Sequence, residues 1–248
     1  MSSRASDLAT AFSLLSRLPV PRDWINTKRN AQAAWAYPVV GLAHGVIAAA
    51  AMLLATALGL PSALAVLVAL TALVVLSGAM HEDGLADLAD GVWGGWTPET
   101  RLEIMRDSRI GTFGVVALAL SLATRAIALW VLVDISVSYA CMALIAVAAL
   151  SRAGMPFLMA LLPQARKDGL SRSIGEVPLG AAWIGLALAG GPAVLLLGWS
   201  TLALVFWGGL AALGVGSLAR RKLGGQTGDV LGGAQQIIEI TLLLALVA

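Results

Sequence analysis

The stretch Ser62–Met80, SALAVLVALTALVVLSGAM, runs directly into His81–Gly91, HEDGLADLADG. The first part is 19 residues long and carries no charge. A bilayer core about 30 Å thick needs about 20 apolar residues in a helix. This run therefore predicts a membrane span. The second part packs four acids, Glu82, Asp83, Asp87 and Asp90, into 11 residues of a chain that has only 14. A span that ends in an acidic segment sets both the fold and the place to look for chemistry.

Working outward, six further apolar runs appear: Val39–Leu58, Phe113–Val133, Tyr139–Leu162, Leu179–Leu197, Thr201–Leu218 and Val230–Ala248. Tight connections pair them: Gly59-Leu60-Pro61, Asp134 to Ser138, and Gly198-Trp199-Ser200. Composition agrees. Of 248 residues 59% are hydrophobic and 12% charged, against roughly 25% charged in a soluble domain. Mean hydropathy is +0.88. This excludes a soluble enzyme, a disordered chain, a nucleic-acid binder with a broad basic face, and an outer-membrane barrel with alternating strands. The expectation is one all-α integral membrane domain, 1–248, with about seven transmembrane helices. The single cysteine, Cys141, forms no disulfide within the chain and reads as a small buried hydrophobe. The N-terminal run Leu8–Leu18 is short, carries Arg17 and lacks a convincing cleavage site, so no cleavable signal is expected.

The net charge of +2 hides an asymmetry. Fourteen of 16 basic residues fall in the N-terminal segment, 80–113, 163–178 and 220–222. The three tight connections hold none. The positive-inside rule then puts the N-terminus and every large loop in the cytoplasm and the C-terminus outside. Residues 1–38 read as a cytoplasmic and interfacial segment. Leu8, Phe12 and Leu15 share one face there and predict an amphipathic helix lying on the inner leaflet. The remaining basic residues, Arg125 and Arg152, lie inside spans. An intramembrane Arg faces a bundle interior or a wet cavity. The choice is between a hydrogen-bonded structural role and an anionic pocket.

If the second helix continues through the acidic loop, Asp83, Asp87 and Asp90 fall within about 60° of one another on one face. Stacked carboxylates repel, and a divalent cation relieves the repulsion. Oxygen-only ligands favour Mg²⁺, Ca²⁺ or Mn²⁺ over zinc. The bland alternative is a solvated acidic helix end. His81 lies on roughly the opposite face and Glu82 about 100° away. His44, in the first span, reads as a packed polar residue. The loop 81–112 continues with Thr97 as a helix cap and Pro98 at the first helical position. Arg106 and Arg109 then come near the acidic face as phosphate partners. Ser108, Thr112 and the Gly111 and Gly114 amides would supply neutral donors before a helix N-terminus. The alternative is juxtamembrane arginines on anionic lipid. A third cluster opens the last span. Gly225, Thr227 and Gly228 are candidate ligand contacts, Asp229 a cap or metal ligand, and Gln235 and Glu239 share a face within the span. Acids, arginines and glycine turns on one membrane side suit transfer of a phosphate-linked group.

At these residues the sequence resembles the cobalamin synthase family, the integral membrane adenosylcobinamide-GDP ribazoletransferases. The resemblance rests on Ser16-Arg17-Leu18-Pro19-Val20-Pro21, Tyr37-Pro38-Val39-Val40-Gly41, and His81 to Asp87 with Asp90-Gly91. It continues through Ile104 to Thr112, Ser151-Arg152, and Gly224 to Asp229 with Leu231-Gly232. The one departure is Glu82, where the family pattern has an apolar residue. The resemblance implies the last assembly step of adenosylcobalamin. Adenosylcobinamide-GDP is joined to α-ribazole or its 5′-phosphate, GMP is released, and Mg²⁺ is required, with Mn²⁺ a workable substitute. It implies Asp83, Asp87 and Asp90, with Asp229, as ligands. Arg106, Arg109 and Arg152 would act as charge partners, with Asp107, His81 or a triad carboxylate as base. The implied partners are the corrinoid nucleotide, the ribazole, the bilayer, other cobalamin-assembly enzymes and a second copy of the chain, with no nucleic acid. Two other readings compete. CDP-alcohol phosphotransferases also use membrane aspartates, but their Asp-Gly is followed two residues later by Ala-Arg, whereas Asp83-Gly84 is followed by Leu85-Ala86-Asp87. A transporter predicts paired broken helices in two repeats, and the sequence shows no such repeat.

Overall fold

The computed structural model describes residues 3–248. Helix α1 (Ser3–Leu15) is followed by three short 3-10 turns ending at Ala36. The last turn runs into α2 (Tyr37–Ala57), giving one apolar helical stretch, Gln32–Ala57. Next come α3 (Ser62–Ser77), α4 (Met80–Gly94), α5 (Pro98–Ile104) and α6 (Thr112–Ile135). The chain then forms α7 (Val137–Leu161), the short α8 (Leu170–Ile174), α9 (Leu179–Leu197), α10 (Ser200–Leu223) and α11 (Gly228–Val247). Among the described residues, six helices are each long and apolar enough to cross a membrane. A seventh crossing exists if α3 and α4 count as one broken span. All seven expected runs are therefore helical, within a few residues of their expected bounds.

The exception lies at the quoted stretch. The second helix does not continue into the acidic segment. It turns by 85° between α3 and α4. Gly78 and Ala79 both take left-handed backbone, with φ of 65° and 58°. Gly adopts this region freely, and Ala rarely does. Three aspartates still share one face, because α4 is itself helical through Asp90.

The centre of the bundle is α7, whose alanines Ala140, Ala143, Ala146 and Ala149 are fully buried. Small residues let helices approach where lipid offers no hydrophobic drive to associate. A Cβ on Gly41 of α2 would come within 2.2 Å of the Ala148 carbonyl oxygen, and one on Gly45 within 2.7 Å of the Ile145 Cα. These two glycines press α2 against α7. The outer faces of the long helices expose Leu58, Val75, Leu120, Leu195 and Leu202. Such surface fits hydrocarbon, since a water-soluble monomer rarely exposes apolar patches of this extent.

The two intramembrane arginines bond inside the bundle. Arg125 is 1% exposed and donates to Glu239 at 3.0 Å and to Glu82 at 3.1 Å. Gln235 and Gln236 complete this network, donating to Glu239, Glu82 and Ser151. Arg152 donates to the Ala148 carbonyl at 2.9 Å and lies 3.4 Å from His44 Nδ1. The opposite ring nitrogen of His44 lies 2.9 Å from the Ser16 hydroxyl. His44 is thus a packed polar residue, as expected. Helix α1 exists, with Leu8 and Phe12 half-buried against the rest of the chain. Asp7, Ala11 and Leu15 are buried against the chain, and Asp7 accepts from Arg29 and from the Trp35 indole.

Candidate active site

The charged segments meet at one end of the bundle. Arg101, buried despite its charge, donates to the carbonyls of Val92 and Lys222, tying α4, α5 and the end of α10 together. Arg166 donates to the Leu102 carbonyl and to Asp229. Backbone hydrogen bonds Gln226 N to Pro163 O and Ala165 N to Gln226 O fasten the 163–178 segment to the start of α11.

What brings the acids together is a glycine crossing. A Cβ on Gly84 of α4 would lie 2.9 Å from the Asp229 carbonyl oxygen, and one on Gly232 would lie 3.3 Å from the Gly84 Cα. The two backbones touch, so Asp83 and Asp87 come beside Asp229. Asp87 is repelled by Asp83, Asp229 and Asp90, and attracted by Arg166. Asp83 is exposed, and Asp87 and Asp229 are half-buried. Thr227 caps α11 by accepting from Val230 N at 3.2 Å, so Asp229 is left free of the capping role and pairs with Arg166 at 3.3 Å. Thr97 caps α5 as expected, with Pro98 behind it.

Asp83, Asp229, Thr227, Gly228 and His81 line one cavity of 240 Å³, together with Arg166, Asp168, Ser171 and Gln226. The last four were not singled out from sequence. Arg166 read only as one of a basic group, and nothing local ties it to an acid 63 positions away. Arg106 reaches the rim of this cavity through an ion pair with Asp168.

Other expected site residues do different work. Asp90 is 8% exposed, and its two carboxylate oxygens accept from Gly111 N at 2.7 Å and Gly114 N at 2.8 Å. It caps the start of α6 from across the bundle. The Gly111 and Gly114 amides are therefore bound to a carboxylate of the chain rather than open to phosphate. Thr112 begins α6 and is exposed, as is Ser108. Arg109 and Asp107 pair with each other on the surface, at 2.6 Å. The Arg109 side-chain and backbone hydrogen bonds hold the Asp107 carboxyl at about 2, which makes it a weak base. Arg152 is 2% exposed, bonds inside the bundle and does not line the cavity. Gly225 is a packing residue, since a Cβ there would sit 2.1 Å from the Pro163 carbonyl oxygen. Its glycine serves contact between backbones rather than contact with a ligand.

The donor set that remains, Asp83, Asp87 and Asp229, is all oxygen and mutually repulsive. It suits a hard divalent cation that draws its other ligands from water and phosphate. Among the described residues no three His, Cys, Asp or Glu side chains close on a common point.

Residues 7–247 match the family model described as cobalamin-5-phosphate synthase. The chain is 42% identical over 238 residues to the adenosylcobinamide-GDP ribazoletransferase of Mesorhizobium japonicum, covering 96% of this chain and 91% of the relative. It is 43% identical over 250 residues to the enzyme of that name from Rhizobium etli, covering 98% and 96%. The match to the one from Bradyrhizobium diazoefficiens is 43% over 247 residues, covering 98% and 94%. No solved structure matches the chain. With a family model matched over almost its whole length and relatives this similar end to end, the chain belongs to the cobalamin-5-phosphate synthase family.

Proposed function

We propose that this chain is an integral membrane transferase that joins adenosylcobinamide-GDP to α-ribazole or its 5′-phosphate at the cavity beside Asp83 and Asp229. The carrying observation is the contact of Gly84 with the start of α11, which brings carboxylates 146 positions apart to one cavity wall. A hydroxyl oxygen of the ribazole attacks the cobinamide-linked phosphorus. The bond from that phosphorus to the bridging oxygen breaks, GMP leaves, and the hydroxyl proton passes to a base. Asp83, Asp87 and Asp229 would hold Mg²⁺, with Mn²⁺ as a substitute. Bound there, the ion would neutralise charge on the diphosphate. Arg166 fixes the orientation of Asp229, and Arg106 brings a positive charge to the rim where a phosphate enters. His81 lies in the cavity wall, whereas Asp107 pairs with Arg109 on the surface.

The charge distribution supports a cytoplasmic position for this cavity in a bacterial inner membrane. Association with a second copy or with other cobalamin-assembly enzymes belongs to the same proposal. The test is direct. Purified protein in nanodiscs receives adenosylcobinamide-GDP, α-ribazole and Mg²⁺, and GMP is measured by chromatography. Release of GMP that depends on α-ribazole is expected. Its absence in correctly folded protein would overturn the assignment.

A further inference from the structure

The cavity beside the carboxylates has a second character. Besides its charged wall it is lined by Leu14, Leu15, Met80, Met155, Met159 and Ile174. Most of these side chains belong to one buried apolar cluster that also contains Tyr37 and Leu231. Among the residues that line it are some whose buried polar atoms have no hydrogen-bond partner among the described residues. The Tyr37 hydroxyl, both ring nitrogens of His81 and the Gln226 amide nitrogen are buried and have no partner. Each of these residues is 1% exposed, and each lines the cavity. Buried donors and acceptors are almost always paired in a folded protein. Four unpaired atoms around one cavity mark it as built for a molecule that completes them.

We propose that this apolar chamber is the binding site for the benzimidazole base of the acceptor nucleoside, a proposal that rests on the transferase reading above. The volume of 240 Å³ is too small for a corrin macrocycle and suits a bicyclic ring with part of its sugar. Thioethers make favourable contacts with aromatic rings and adapt to their outline, and three of them line this chamber. A ribosylated dimethylbenzimidazole carries two methyl groups and a single ring nitrogen able to accept a hydrogen bond. That chemistry matches a greasy chamber with a few free donors. The nucleoside's ring nitrogen and ribose hydroxyls offer partners to the free polar atoms, whereas guanine would press an edge of several donors and acceptors against leucine and thioether side chains. With the base in the chamber, the attached ribose extends toward Asp83 and Asp229, where its hydroxyl must react.

Three variants test this. Tyr37→Phe removes an oxygen that bonds nothing, so the fold is kept. Met159→Leu conserves volume and loses the sulfur, and Met159→Ala opens the chamber. Binding of α-ribazole alone is measured by titration calorimetry on protein in nanodiscs, without cobinamide substrate. Tyr37→Phe and Met159→Ala are expected to weaken α-ribazole binding about tenfold, with Met159→Leu between them and wild type. The nucleoside lacking both ring methyls should bind at least about tenfold more weakly than α-ribazole to wild type. GMP affinity and the KM for adenosylcobinamide-GDP should stay within about twofold in all three variants. Unchanged α-ribazole binding in Tyr37→Phe and Met159→Ala would overturn the proposal. So would weakened GMP binding, which would give the chamber to guanine. The two readings separate cleanly. Wild-type protein that binds α-ribazole in a variant-sensitive way yet releases no GMP keeps the chamber and loses the transferase. Protein that releases GMP with a variant-insensitive KM for α-ribazole does the reverse.

Discussion

Glu239 of α11 accepts a hydrogen bond from Arg125 of α6 at 3.0 Å inside the bundle, where the two side chains are 4% and 1% exposed. Removing one member of such a buried pair leaves an uncompensated charge, at a cost of about 3–5 kcal/mol. Glu239→Gln and Arg125→Met should therefore lower the thermal unfolding midpoint in detergent strongly. Glu82→Gln should lower it less, because Glu239 still faces the arginine. Equal midpoints for all three variants and wild type would remove the network from the stability of the fold.

Asp90 and Asp83 share a helix face but should respond differently to the same substitution. Asp90 spends both oxygens on the start of α6. Asp90→Ala should cost about 1–2 kcal/mol of stability, whatever the metal content of the buffer. Asp83 is exposed and lines the cavity. Asp83→Asn should leave the unfolding midpoint near wild type and slow GMP release by about 10²-fold. It should also raise the Mg²⁺ concentration giving half-maximal rate. A rate unaffected across a Mg²⁺ titration would remove Asp83 from the ligand set.

Gly84 has no room for a side chain, since its neighbour is the Asp229 backbone. Gly84→Ala should push α4 from α11, cost about 1–3 kcal/mol and reduce activity together with stability. Gly228 sits at the same helix start with open space around it. Gly228→Ala should leave the unfolding midpoint within about 0.5 kcal/mol of wild type. The pair of midpoints distinguishes close packing from a general intolerance of side chains at this end.

Asp7 makes the N-terminal segment sensitive to acid. Hydrogen bonds from Arg29, then from Trp35, hold its carboxyl below the usual range of 3.8, against the opposing effect of burial. A carboxyl that is lower in the folded state adds stability above its unfolded pKa, and that stability is lost as pH falls through the folded value. Melting curves between about pH 6 and pH 3 should thus fall more steeply for wild type than for Asp7→Asn. Parallel curves would show that the Asp7–Arg29 pair contributes nothing.

Much of this was legible because charge is scarce. Each of the seven apolar runs became a helix, and the scattered basic residues gather at one end. The acidic face of α4 and Asp229 do come together. The sequence could not show how, since the means is a contact between two glycines 148 positions apart. The turn at Gly78-Ala79 escaped notice because Ala79 is a poor residue for left-handed backbone, and only Gly78 hinted at a break. Asp90 looked equivalent to its neighbours by periodicity. Only the position of α6 reveals that its oxygens are taken. The same holds for Gly225, whose glycine answers to Pro163 and not to a ligand. Arg166 became visible as a site residue only when the loop that carries it was seen fastened to α11.

The ion network has a temporal side. Arg125 is made 114 positions before Glu239, and Glu82 is made 43 positions before Arg125. The pairing of Arg125 with Glu239 therefore forms only once α11 has joined the bundle. Glu82 stands in the first turn of α4, just past the bend at Gly78-Ala79. A chain lacking α11 should keep Glu82 as the carboxylate partner of Arg125 and lose Glu239.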